Sequence, residues 1–165
     1  MQSYETVTHT FEPVYNEDSK VLILGSLPSV KSRENGFYYG HAQNRFWKLL
    51  AYLYEREVPK STQEKIDMLL FCQIAIWDVI KSCEIMGSSD SSIQNVVPMD
   101  LNQILRVCDI KQIYANGKTA AKLYRTYHQE LTGRDIIELP STSPANAAYS
   151  LERLVENWKR ITIPC

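Results

Sequence analysis

Four short apolar runs, separated by amphipathic helical patterns, constrain this chain more than any other feature. They fall at residues 21–25 (VLILG), 74–76 within QIAIWD, 112–115 (QIYA) and 136–139 (IIEL). Each is too short for a helix and rich in Ile, Leu or Val, and most are bounded by Gly, Pro, Ser or Asp, the punctuation of buried strands. Between them the apolar residues recur at helical spacing. The stretch 42–56 places Phe46, Leu49, Leu50 and Leu53 on one stripe, and 63–72 aligns Ile66, Leu69 and Leu70. A short helix after Asp100 turns Leu101, Ile104 and Leu105 inward, 118–131 aligns Ala120, Tyr124, Tyr127 and Leu131, and 148–161 carries Leu151, Leu154, Val155, Trp158 and Ile161. Strands that alternate with helices in this way predict a parallel sheet covered on both faces. The expected architecture is α/β, a three-layer α/β/α sandwich around a central four-stranded, mostly parallel sheet. With 165 residues the chain can bury a core without a staple, as one domain over 1–165 with residues 1–19 as an N-terminal extension.

In such sheets ligands bind beyond the carboxyl ends of the strands. The exits here read GSLPS, WDVIKSCEIMGSSDSS, NGKT and PSTSPAN. All are rich in Ser, Thr, Gly, Asn or Pro, and at least one leads straight into a helix. Hydroxyls and exposed N–H groups at helix starts suit phosphate oxygens. Lys118, in the first turn after NG, can reach a phosphate or stand solvated. The formal charge of -1 gives no bulk attraction to nucleic acid, so any such contact depends on a local patch. No Walker loop, G-x-S-x-G elbow, H-E-x-x-H or G-x-G-x-x-G occurs, which disfavours the corresponding hydrolases and dinucleotide enzymes.

Cysteines stand at 72, 83, 108 and 165 with no C-x-x-C pair, which argues against a zinc or iron–sulfur centre. The first twenty residues have neither a charged n-region nor an apolar h-region, and no apolar run approaches the ~18 residues of a membrane span. The expectation is an intracellular, cytoplasmic protein with reduced thiols, no membrane partner and a monomeric state.

The segment GFYYGHAQNRFWKLL, residues 36–50, is richer than a helix start requires. Helix packing accounts for Phe46 but not for Phe37, Tyr38 and Tyr39 before it. His41 either caps the helix end or holds Asn44 or a phosphate. Asn44 can offer its carbonyl oxygen to a water and its amide N–H to a ligand, or be merely an exposed residue of the first turn, and Arg45 follows as a supporting group. His9 and His128 sit in polar contexts that suggest the surface.

Taken together, GSLPS, GFYYGHAQNRFW and LPSTSPANA, in this order, resemble the uracil-DNA glycosylase superfamily, and within it the hypoxanthine-DNA (deoxyinosine) glycosylase branch. The resemblance covers about residues 20 to 160 and implies base flipping: the target nucleotide leaves the duplex and is held in a pocket. Tyr39 then corresponds to the ring that stacks on the base, with Phe37 and Tyr38 as pocket wall or core. Where most members place a water-orienting Asn or Asp in the first motif, this chain has Leu27, so that role passes to Asn44. Leu139 replaces the His or Asn that opens the last motif elsewhere, and residues 143–145 supply no bulky wedge.

The implied activity is monofunctional hydrolysis of the N-glycosidic bond of deaminated bases in DNA, hypoxanthine first, with water as nucleophile and no cofactor or metal. Asp78 and Ser26 would face the base, while Ser29, Lys118, Ser141, Thr142 and Ser143 would grip flanking phosphates. A uracil or xanthine glycosylase of the same fold, and a catalytically silent DNA-damage-binding module, are the alternatives.

Overall fold

The computed structural model describes residues 3–87 and 89–162, so Cys165 and Ser88 of the GSSDSS loop lie outside the described residues. The four anticipated runs are strands: β2 (Val21–Gly25), β3 (Ile74–Asp78), β6 (Gln112–Asn116) and β7 (Ile136–Leu139). They form one sheet in the order β3-β2-β6-β7, and every pairing is parallel. All residues of β2 and β3 are buried, which requires cover on both faces of the sheet and explains their unbroken apolar runs.

From β2 the chain turns one way to β3 and, on its return, the other way through β6 to β7. The crevice between the exits of β2 and β6 is therefore the point where winding reverses. Register aligns the exits: Gly25 stands opposite Asp78, and Asn116 opposite Leu139.

The sequence reading missed a second sheet. Strands β1 (Tyr4–Thr8), β4 (Ile80–Met86) and β5 (Gln94–Pro98) pair antiparallel in the order β1-β4-β5. The first half of the segment read as a long loop after WD is β4, whose alternation is irregular and whose register with β5 shifts twice. Residues 1–19, read as an extension, supply β1 and a Val14–Ile76 bridge to the parallel sheet.

Six residues after GSLP form an unanticipated helix, α1 (Val30–Asn35), capped by Ser29 and closed by Gly36 at φ 79°. The next helix, α2, runs Phe46–Leu53, four residues later than the apolar stripe suggests. Asn44 delays it, because its Oδ1 accepts the Phe46 N–H at 3.0 Å and holds the backbone in a turn. Helices α3 (Thr62–Phe71) and the short α4 (Asn102–Leu105) follow. The pattern at 118–131 is broken into α5 (Lys118–Tyr127) and α6 (Gln129–Thr132). At the break His128 turns inward, buried, with its Nε2 2.8 Å from Val79 O. Its surface assignment is thereby corrected. The last helix, α7, is Leu151–Trp158, and a 3₁₀ turn over Lys159–Thr162 completes the described chain.

Trp158 is fully buried, meets Phe46 edge-on at 6.1 Å and donates its indole N–H to Pro140 O at 2.8 Å. One side chain thus ties the last helix to α2 and to the loop after β7. Among the described residues no helix is long and apolar enough to cross a membrane.

Candidate active site

A cleft of about 860 Å³ opens over the strand exits. Its walls come from the loops after β2, β6 and β7, from Asp78 and from Tyr39 and Asn44. At its centre is a hydrogen-bonded chain of three side chains. The Asn116 amide brackets Thr142, accepting the Thr142 N–H on Oδ1 and donating from Nδ2 to Thr142 Oγ1, both at 3.0 Å. Thr142 Oγ1 in turn donates to Asn44 Oδ1 at 2.8 Å.

This arrangement fixes how the Asn44 amide points. The Phe46 N–H can only donate, so the atom that meets it is the carbonyl oxygen, and Thr142 fills that oxygen's other lone pair. The amide nitrogen has no protein partner among the described residues and is left for the cleft. The sequence reading offered the oxygen to a water; that atom is already committed.

Arg45 builds the wall opposite. Its guanidinium donates to Tyr149 O, to Ser143 O at 2.9 Å, to Asn146 O at 3.1 Å and to Thr142 O at 3.4 Å. One fork of donors thereby sets the path of the whole STSPANAAY loop. Within that loop Ser141 Oγ accepts the Ser143 N–H and Ser143 Oγ accepts the Ala145 N–H, each at 3.1 Å. A hydroxyl that accepts from the backbone still has its own proton to donate, so both remain suited to an anion. Thr142 does not: it is fully buried, and its hydroxyl and N–H are spent on Asn44 and Asn116. Its expected phosphate contact is therefore replaced by an internal one.

Tyr39 sits at φ 51°, an uncommon conformation for a bulky residue. Its ring stacks on Phe46 at 4.1 Å and 22°, and meets Trp47 at 6.5 Å. Its hydroxyl is buried without a hydrogen-bond partner; the Asn116 amide is a favourable neighbour but stands outside hydrogen-bond geometry. Burial first, and the Asp78 charge second, push this phenol well above the ordinary tyrosine range, so it stays protonated. Gly25 is required beneath it: a Cβ there would lie 2.5 Å from Asp78 Oδ1 and 3.2 Å from Tyr39 Oη. Gly117, at φ 102°, likewise lets the start of α5 pass Ser141.

The other sequence candidates divide. Ser26, Ser29, Leu27 and Lys118 line the cleft, although Ser29 Oγ is engaged with Ser32 as the cap of α1. Phe37 does not line it; the ring packs in the core against Trp47 and Tyr38. Tyr38 lines the cleft but is almost wholly buried and spends its hydroxyl on Glu12 O. His41 holds neither Asn44's side chain nor any cleft wall; its Nδ1 accepts the Gln43 N–H at 3.0 Å.

His9 was missed. Read as a surface residue, its side chain has no exposed area and its Nε2 lies 2.8 Å from Asp78 Oδ2. The only signal in the sequence is alternation, which puts His9 on the same strand face as the buried Val7.

A sequence model described as the uracil DNA glycosylase superfamily matches residues 12–162. The chain belongs to that superfamily. Within it, the hypoxanthine DNA glycosylase of Methanosarcina acetivorans is 33% identical over 155 residues, covering 92% of this chain and 95% of the relative. The hypoxanthine DNA glycosylase of Methanosarcina barkeri is 32% identical over 117 residues, 68% of this chain and 72% of that one. A candidate uracil DNA glycosylase from Methanosarcina acetivorans, solved by solution NMR, superposes with a TM-score of 0.81 at 30% identity, covering 96% and 97% of the two chains. At the strand exits this chain gathers Asn44, Thr142, Asn116, Asp78 and Tyr39 around one cleft.

Proposed function

We propose that this chain is a monofunctional DNA glycosylase that removes deaminated bases, chiefly hypoxanthine, working as a cytoplasmic monomer without a cofactor. The observation that carries the reading is the Asn116–Thr142–Asn44 chain, which holds one unpartnered amide nitrogen at the cleft in a member of a glycosylase superfamily. The three described cysteines are free thiols, in keeping with a reducing compartment.

A flipped deoxyinosine enters the cleft with its base towards Tyr39 and Asp78 and its flanking phosphates on the hydroxyls of Ser141 and Ser143, the GSLPS loop and Lys118. Tyr39 stacks on the base through the ring face not taken by Phe46. As the C1′–N9 bond breaks, its electron pair leaves with the purine and the sugar gains oxocarbenium character. A water oxygen bonds to C1′, becoming its hydroxyl, and one water proton ends on the released base. Such a sugar is so electrophilic that the water needs placement more than deprotonation. The Asn44 Nδ2–H can hold one lone pair of that water while the other is aimed at C1′. Thr142 keeps the amide from turning over, and preorganised groups of this kind cost no rearrangement at the moment of reaction.

The test is an oligonucleotide with one deoxyinosine, incubated with excess protein in chelator. An alkali-labile site at the lesion, with no strand break before alkali and none in the undamaged control, supports the proposal. A strand break without alkali contradicts the monofunctional assignment, and an intact lesion contradicts the whole reading.

A further inference from the structure

One polar corner of the cleft is built from two distant parts of the chain. Strand β1 runs antiparallel to β4, and the His9 N–H continues the ladder by donating to Lys81 O at 2.7 Å. Since β4 begins two residues after Asp78, this pairing delivers His9 to the end of β3. There the imidazole is enclosed, with Phe11 edge-on at 5.6 Å and Tyr38 at 5.9 Å. Its Nδ1 accepts the Phe11 N–H at 3.3 Å, so the ring proton is on Nε2 and is donated to Asp78 Oδ2.

The second carboxylate oxygen is then fixed by geometry. Asp78 Oδ1 lies over the bare Cα of Gly25, close enough that a methyl group there would collide with it at 2.5 Å. It has no hydrogen-bond donor among the described residues, and Asp78 lines the cleft. The buried, unpartnered Tyr39 hydroxyl borders the same corner. A polar ligand atom is what both groups lack.

We propose that His9 is a positioning residue for base selection: it turns Asp78 so that Oδ1 accepts the ring N–H that deamination creates. The inference rests on the glycosylase reading given above and adds its chemical filter. Hypoxanthine carries N1–H and uracil N3–H beside a carbonyl. Adenine and cytosine, their parents, present a lone pair at the same ring nitrogen. A carboxylate can only accept, so it bonds the first pair and repels the second. An Asn at this place could rotate to suit either kind. The Asp78–His9 pair cannot, because a carboxylate has no donor to turn inward and the imidazole N–H occupies its other oxygen.

The experiment compares single-turnover base release from otherwise identical duplexes containing deoxyinosine or deoxynebularine, the purine nucleoside with a lone pair at N1 and no O6. His9→Ala should slow release of hypoxanthine by about 10- to 100-fold, the scale of one charge-assisted hydrogen bond, without slowing release of purine. His9→Gln, whose amide can still donate to Asp78, should recover most of the loss. Asp78→Asn, of the same size, should move the two substrates in opposite directions, slower on deoxyinosine and faster on deoxynebularine. Equal losses on both substrates would make His9 a purely structural residue and overturn the proposal, as would a folded Asp78→Asn protein with unaltered preference. If the unmodified protein releases no base at all, the glycosylase reading falls and takes this inference with it; robust hypoxanthine release that ignores His9 and Asp78 removes this inference alone.

Discussion

Thr142 Oγ1 and Asn44 Oδ1 are joined by a 2.8 Å hydrogen bond across 98 residues of sequence. The bond links the segment before α2 to the loop after β7. Thr142→Val removes the donor and frees the Asn44 amide to rotate. Base release should fall by about 10-fold or more while DNA affinity holds, and Thr142→Ser should restore it. The variant also strands Asn116 Nδ2 next to a methyl group, so its stability should drop by about 1–3 kcal/mol in urea unfolding. Full activity in a folded Thr142→Val protein would dissociate this bond from chemistry.

Arg45 organises a loop by reaching four carbonyl oxygens at once. A lysine has the charge without the planar fork. Arg45→Lys should therefore lower stability by about 1–3 kcal/mol and weaken DNA binding together, because the loop it shapes carries Ser141 and Ser143. Thermal unfolding and fluorescence anisotropy on the same preparation check both parts. A variant with native stability would mean that the loop holds its path unaided.

Ser141 and Ser143 keep free hydroxyl protons at the rim. Replacing both with Ala should reduce affinity for damaged and undamaged duplexes by similar factors, since phosphate contacts position a protein without reading sequence. The rate at saturating enzyme should change far less. A loss confined to lesion DNA would place these hydroxyls at the base instead of the backbone.

The parallel sheet was legible because its strands are buried on both faces and so appear as continuous Ile, Leu and Val runs. The antiparallel sheet was not, since YETVT and IKSCEIM alternate imperfectly and one side of each is solvated. The same difference explains the site. Asn44, Tyr39 and the serine loops stand in short local motifs, and their placement around one cleft followed from the strand order. The pairing of His9 with Asp78 depends on where β1 lies, and nothing within five residues of His9 announces it. Thr142 was misplaced for a related reason, and Phe37 was left open between pocket wall and core: composition shows that a hydroxyl or ring is present but not which way the loop turns it.

His128 gives the fold a pH dependence separate from catalysis. Burial holds its imidazole below the ordinary histidine value, with the Val79 O hydrogen bond opposing the shift. The folded chain then binds this proton less readily than the unfolded one. Its contribution to stability is complete above the ordinary pKa of about 6.5 and is lost as pH falls below that value towards the depressed one. Urea midpoints should decline between about pH 7.5 and pH 5.5, and His128→Gln, which keeps a donor for Val79 O, should flatten that decline. An unchanged slope would assign the titration elsewhere.

Chemistry at Asn44 is the centre of the account, and chromatographic assay of the free base measures it most directly. Purified protein in molar excess over a deoxyinosine oligonucleotide, without added metal, should release one hypoxanthine per lesion. Asn44→Ala should slow that release by roughly two to four orders of magnitude, the range for loss of an oriented catalytic group, with DNA binding nearly intact. Release of hypoxanthine by folded Asn44→Ala at the unmodified rate would contradict it.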